Sequence, residues 1–167
     1  MAAPAGKSIA KEVLITRVFE APRETVFRAW SEAESLKRWY APKGCTVQAC
    51  TVDFRVGGRY LTCIAAPGME CWCAGVYKEI VRPERIVSTM HLADEQGNYL
   101  EPAKSHLAKY PDWPGEMVLT LTFEALGPKK TRMTLHQTVS EELAKQTGAY
   151  PSWLSMFEKL DQDLAGH

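Results

Sequence analysis

Residues 116–138 read EMVLTLTFEALGPKKTRMTLHQT, and the pattern inside them decides the fold. Met117, Leu119, Leu121 and Phe123 recur at every second position, with Thr120 and Thr122 between them. Strand side chains alternate between two faces, so this spacing gives one dry face and one wet face. The run from Thr131 to Thr138 repeats the pattern, with Met133 and Leu135 set against Arg132 and Thr134. Leu126-Gly-Pro-Lys-Lys130 supplies turn residues between the two runs, which therefore pair antiparallel. A sheet with one dry face needs a cover.

The cover lies downstream. Ser140-Glu-Glu offers an N-cap followed by acids in a first helical turn. Gly148 and Pro151 weaken continuity, so a short lead-in is expected before the main helix. Trp153, Met156, Phe157, Leu160 and Leu164 then fall at i, i+3, i+4, i+7 and i+11, one apolar stripe. It is the one long amphipathic helix in the pattern, so the sheet must curve around it. A cavity forms wherever the facing side chains fail to meet.

Working back from residue 116, Glu95 to Gly115 interrupts the strands with Gly97-Asn98, Pro102, Pro111 and Pro114, and holds His106 and Trp113. An insert of this length in a small domain is usually functional, and it reads as a lid anchored by Trp113. Before it, CTVQACTVDF, RYLTCIAA, CWCAGVYKEIV and RIVSTMHLAD read as strands punctuated by Gly57-Gly58, Pro67-Gly68 and Arg82-Pro83-Glu84. At the start, Glu12 to Glu20 is β-branched and free of Gly and Pro, a further strand. Pro22 suits the first turn of a helix carrying Val26, Phe27 and Trp30. A second short helix carries Leu36, Trp39 and Tyr40 and stops before Pro42. The expected fold is α+β: about six or seven antiparallel strands wrapped around a C-terminal helix, with two short helices after the first strand. Residues 1–7 are expected to be a disordered tail and 8–167 one domain, with the insert at about 95–115.

Composition narrows the function. Lys plus Arg equals Asp plus Glu at 20 each. That balance gives none of the basic excess nucleic acid rewards, so no nucleic-acid partner is expected. No apolar run approaches the roughly 20 residues of a membrane span. The opening residues lack the apolar stretch of a signal peptide, and the odd count of five cysteines argues against a disulfide framework. A cytoplasmic protein is expected.

No residue set compels catalysis, a metal or a cofactor. Asp53-Phe-Arg-Val-Gly-Gly58 lacks the Lys-Ser/Thr ending of a phosphate loop and reads as a tight hairpin anchored by Asp53 and Arg55. Cys71 and Cys73 share one strand face, with Cys63 across the Pro67-Gly68 hairpin and within reach. No C-x-x-C pair completes a zinc set, so the thiols read first as small apolar filler and second as a redox-sensitive cluster. His91, His106 and His136 read as structural or surface histidines, His136 on the wet face. The surplus of aromatic and methionine residues is more informative. Individually each is core packing; as a set they suit a pocket with adaptable walls and a few polar handles.

Several segments, in order along the chain, resemble one family. They are Thr16-Arg-Val-Phe-Glu-Ala-Pro22 with Val26 and Trp30, Leu36-x-x-Trp39-x-x-Pro42, Asp53-Phe-Arg-Val-Gly-Gly58, Gly75-Val-Tyr-Lys-Glu-Ile80 and Arg82-Pro-Glu-Arg-Ile-Val87. Val118 to Glu124, Lys130-Thr-Arg132 and Trp153 complete the set. Together they resemble the START/birch-pollen-allergen-like (SRPBCC) superfamily, in the branch similar to the activator of the heat-shock-protein-90 ATPase. The resemblance implies a helix-grip fold with its pocket between the long helix and the sheet. Tyr60, Tyr77, Met117, Leu119, Trp113, Trp153, Met156 and Phe157 are then the candidate lining residues. The leading expectation is a carrier or sensor of a hydrophobic small molecule. The alternatives are a chaperone-associated interaction module and a cyclase or hydrolase in the same pocket. A homodimer is suggested by the resemblance alone.

Overall fold

The computed structural model describes residues 11–166, so the tail expected at 1–7 lies outside the described residues. The chain runs β1 (Glu12–Phe19), α1 (Arg23–Ser31), α2 (Ala33–Trp39), β2 (Thr46–Val52), β3 (Arg59–Ala66), β4 (Met69–Val81) and β5 (Arg85–Ala93). The insert follows, with one 3-10 turn at Pro102–Lys104. Then come β6 (Glu116–Gly127), β7 (Lys130–Ser140), α3 (Glu141–Thr147) and α4 (Ala149–Ala165). All seven strands form one sheet in the order β1-β7-β6-β5-β4-β3-β2, antiparallel throughout. The first strand thus pairs with the last, while the others form a meander.

Register explains why one face is dry. Val13 stands beside Gln137, Gln137 beside Leu119, Leu119 beside Ser88 and Ser88 beside Tyr77. Two residues along, Ile15, Leu135, Leu121 and Ile86 form a parallel row. Both rows lie on the covered face: Gln137 bonds Trp153 of α4, Leu119, Leu121 and Ile86 face Trp30, Leu36 and Tyr40, and α4 buries Trp153, Met156, Phe157, Leu160 and Leu164. Each such side chain contributes about 1.5–3 kcal/mol relative to exposure, so this seam dominates the stability. The opposite face carries ion pairs such as Arg132–Glu124 and the half-exposed His136–Glu12.

Local chemistry sets the ends of the elements. Pro22 is the N-cap of α1, one residue earlier than the first turn expected for it. Ser140 caps α3 by accepting from the Leu143 N–H. Gly148 takes φ +88°, a left-handed conformation that costs glycine little, and there the chain breaks between α3 and α4. At the β2–β3 hairpin the Arg55 Nε donates to Asp53 Oδ2 at 2.9 Å, and Gly57 and Gly58 close the turn between strands.

Candidate functional site

The pocket begins at the break between α3 and α4. Thr147, Gly148 and Ala149 form part of its rim, and Ser152, Trp153 and Met156 of α4 run down one wall. The sheet supplies the facing wall with Cys71 and Cys73 of β4, Met90 and Leu92 of β5, Met117 of β6 and Gln137 of β7. The chain after α2 gives Tyr40, Pro42 and Cys45. This segment is tied to α4, because the Lys43 N–H donates to Ser155 Oγ at 2.8 Å and Lys159 Nζ donates to the carbonyls of Pro42 and Cys45. The insert closes the remaining side with His106, Leu107 and Trp113. Its own tether is the Tyr110 hydroxyl, which donates to the Gln146 carbonyl of α3 at 3.1 Å.

The pocket volume is about 310 Å³, at the lower end of the roughly 300–1,000 Å³ typical of small-molecule sites. A larger depression of about 530 Å³ lies outside it, and its walls mix Glu12, Asp112, Glu142 and Gln146 with Pro114, Val139 and Leu143. The smaller pocket, with aromatic, methionine and thiol walls, is the better home for an apolar molecule.

Polar handles are few and fixed. Gln137 is buried, its Oε1 accepting from Trp153 Nε1 at 3.1 Å and its Nε2 donating to the sulfurs of Met90 and Met117. The amide thus holds three lining side chains in place. Burial raises the Tyr40 phenol well above its ordinary range, so it stays protonated and can donate. Partial burial lowers the imidazole of His106. Trp113 Nε1 is buried and has no hydrogen-bond partner among the described residues.

The candidate residues divide by their depth along the strands. Met117, Trp113, Trp153 and Met156 come together in the pocket. Tyr60, Tyr77 and Leu119 stand further along the sheet and line a separate cavity of about 30 Å³ with Ser88 and Thr62. There the Tyr60 hydroxyl donates to the Thr89 carbonyl at 2.7 Å. Phe157 is fully buried against Trp30, Trp39 and Trp153 in the core between the two cavities and the short helices. Cys63 pairs with Trp72, whereas Cys71 pairs with Ile64 and Cys73 with Thr62. Cys63 therefore faces away from the other two thiols and does not join them. Cys50 and Cys63 are buried filler, but Cys71 and Cys73 are part of the pocket wall.

Sequence reasoning passed over Gln137 and the insert's Leu107, and it counted Tyr40 and Met90 in the aromatic and methionine set without choosing them as lining residues. For Gln137 the signal was present: the alternation of Met133 and Leu135 carries it onto the dry face.

This arrangement can be set beside known proteins. The family described as activator of Hsp90 ATPase homolog 1-like protein matches residues 20–165. The chain belongs to that family. Membership of the Hsp90 ATPase activator homologue family places the chain in the SRPBCC branch and supports, at a coarse level, a domain of the ligand-binding type. A solution structure from Staphylococcus epidermidis is similar at 25% identity and a TM-score of 0.73, covering 96% of this chain and 93% of that one. A crystal structure from Chromobacterium violaceum is similar at 24% identity and a TM-score of 0.70, over 92% and 97% of the two chains. The AHSA1 protein from Silicibacter pomeroyi, at 18% identity, has a TM-score of 0.70 over 93% and 98%. These likenesses establish the helix-grip fold across the family members. No curated protein matches the chain. Among the described residues, no helix is long and apolar enough to cross a membrane.

Proposed function

We propose that this chain is a carrier or sensor that holds an apolar small molecule between α4, the concave sheet face and the insert. One observation carries the reading: a cavity of about 310 Å³ whose walls are aromatic, methionine and aliphatic side chains, with only a few oriented polar groups. Such a wall rewards an apolar body, at about 25 cal/mol for each Å² removed from water. The unpartnered Trp113 N–H and the protonated Tyr40 hydroxyl suit a ligand with at least one acceptor oxygen or nitrogen. In this reading the insert is a lid, held by Leu107, Trp113 and the Tyr110 tether.

Native mass spectra of gently purified protein, before and after denaturation, test the proposal. The expected result is a bound apolar molecule at one per chain, absent from the Ala149→Trp variant, whose indole fills the rim. A bare chain mass that also takes up no added 1-naphthol would overturn it, and so would a bound mass unchanged in Ala149→Trp. The family's name supports a second reading, docking on a heat-shock ATPase by an outer face. Co-precipitation with the purified 90-kDa chaperone, unaffected by Ala149→Trp, is the result that reading requires.

A further inference from the structure

Of the five indoles in the chain, four have their N–H groups answered within the molecule. Trp30 Nε1 donates to the Met133 sulfur, Trp39 Nε1 to the Ala29 carbonyl, Trp72 Nε1 to Glu70 Oε1 and Trp153 Nε1 to Gln137 Oε1. Trp113 is the exception. Its ring lines the pocket, and its Nε1 is buried with no acceptor among the described residues. A donor in that state has lost its water without gaining a partner. The residue is also held in place: its backbone N–H donates to the Tyr110 carbonyl at 3.0 Å, and the Tyr110 hydroxyl ties this turn to α3. The wall around it carries no formal charge. Among the described residues lining the pocket there is no Lys, Arg, Asp or Glu. Lys159 of α4 does not line it, and directs its ammonium at the Pro42 and Cys45 carbonyls. Burial raises the Tyr40 phenol and lowers the His106 imidazole, which favours the neutral form of both.

We propose, resting on the pocket reading above, that Trp113 is the specificity-determining residue: its Nε1–H binds an uncharged acceptor, such as a carbonyl oxygen, on an apolar ligand, and free acids and amines of the same shape are turned away. The chemistry of the donor sets the first half of this selection. An indole N–H donates and cannot accept, so an ammonium group leaves it unanswered. A carboxylate could accept, but its charge would enter a wall that offers no cation to pair with it. Stripping water from an unpaired ion costs more than one hydrogen bond returns. A ketone, ester or amide oxygen meets the donor and brings no charge. A ligand donor is less well served, because the Gln137 Oε1 acceptor is already held by Trp153. Trp113 belongs to the insert, so the segment that covers the pocket is also the one that reads the polar group of the ligand.

Equilibrium dialysis of the full chain at neutral pH against three probes of one shape tests this: 1-ethylnaphthalene, 1-acetylnaphthalene and 1-naphthoate. The ketone is expected to bind about three- to tenfold more tightly than the ethyl compound, and the carboxylate at least about tenfold more weakly than the ketone. Trp113→Phe keeps a ring and removes the donor. It should erase the advantage of the ketone and leave ethylnaphthalene within about twofold of its original affinity. A readout on the unaltered chain stands beside the variant: the carbonyl stretch of bound, carbonyl-labelled 1-acetylnaphthalene should lie below its position in hexane. Naphthoate binding as tightly as the ketone, a ketone advantage that survives in folded Trp113→Phe, or a carbonyl band at the hexane position would each overturn the proposal. The two levels fail differently. Ethylnaphthalene uptake with no gain for the ketone removes the role of Trp113 alone, whereas no uptake of any probe removes the pocket reading and this inference with it.

Discussion

At the scale of single residues, Gln137 decides the character of the pocket. Its amide is buried in a row of apolar neighbours, and its cost is offset by the Trp153 N–H and two methionine sulfurs. Gln137→Met keeps the volume but leaves the Trp153 donor without an acceptor. The expected loss is about 1–3 kcal/mol in urea unfolding, with free Trp153 rotation reported by its fluorescence. A neutral result would mean that the indole finds another acceptor. Gln137 also shows where the sequence was hard to read. A polar residue in an alternating strand was counted on neither face, although the period placed it with Met133 and Leu135. The thiols were a different case. Their shared face followed from the spacing of Cys71 and Cys73, but the exclusion of Cys63 needed the β3–β4 register.

Elements were more legible than residues. The period-2 runs of β6 and β7 and the stripe of α4 define the layers directly, because burial on one face is what both patterns encode. Depth along the strands was not legible. The pairing of β4 with β5 slips between Tyr77 and Glu79, and the Val76 N–H bonds Thr89 Oγ1 instead of a ladder carbonyl. On the near side of that slip the Tyr60 hydroxyl comes close to the Thr89 carbonyl and donates to it, and Tyr60 and Tyr77 line the inner cavity. Gly75 permits it, since a Cβ there would overlap the Thr89 carbonyl and the Tyr60 ring. Gly75→Ala is expected to destabilise by about 1–3 kcal/mol, read from chemical unfolding, because backbone must move to admit the methyl. The insert makes a separate prediction. Tyr110→Phe removes its bond to α3, worth about 0.5–1.5 kcal/mol, and cleavage by trypsin at Lys104 or Lys109 should speed several-fold while the rest of the chain resists. Cleavage unchanged by Tyr110→Phe and by bound 1-naphthol would remove the lid role.

Taken as a whole molecule, the chain balances two demands on one interface. Between Trp30, Trp39 and Phe157 the helices interlock through ring contacts, and Trp30 Nε1 donates to the Met133 sulfur of the sheet. Toward the α3–α4 break the same layers part, because Gly148 turns the chain and Ala149 and Ser152 are too small to reach the sheet. Filling that end should therefore abolish binding without unfolding the protein, as Ala149→Trp is designed to do. The central claim is that an apolar molecule sits in this end of the seam and nowhere else. Methyl NMR of the methionines, titrated with 1-naphthol, tests it most directly, because Met69, Met90, Met117 and Met156 line the pocket while Met133 is fully buried outside its walls. The account expects saturable shifts at the four lining methyls and a still Met133. Shifts absent from the four, or largest at Met133, would contradict it.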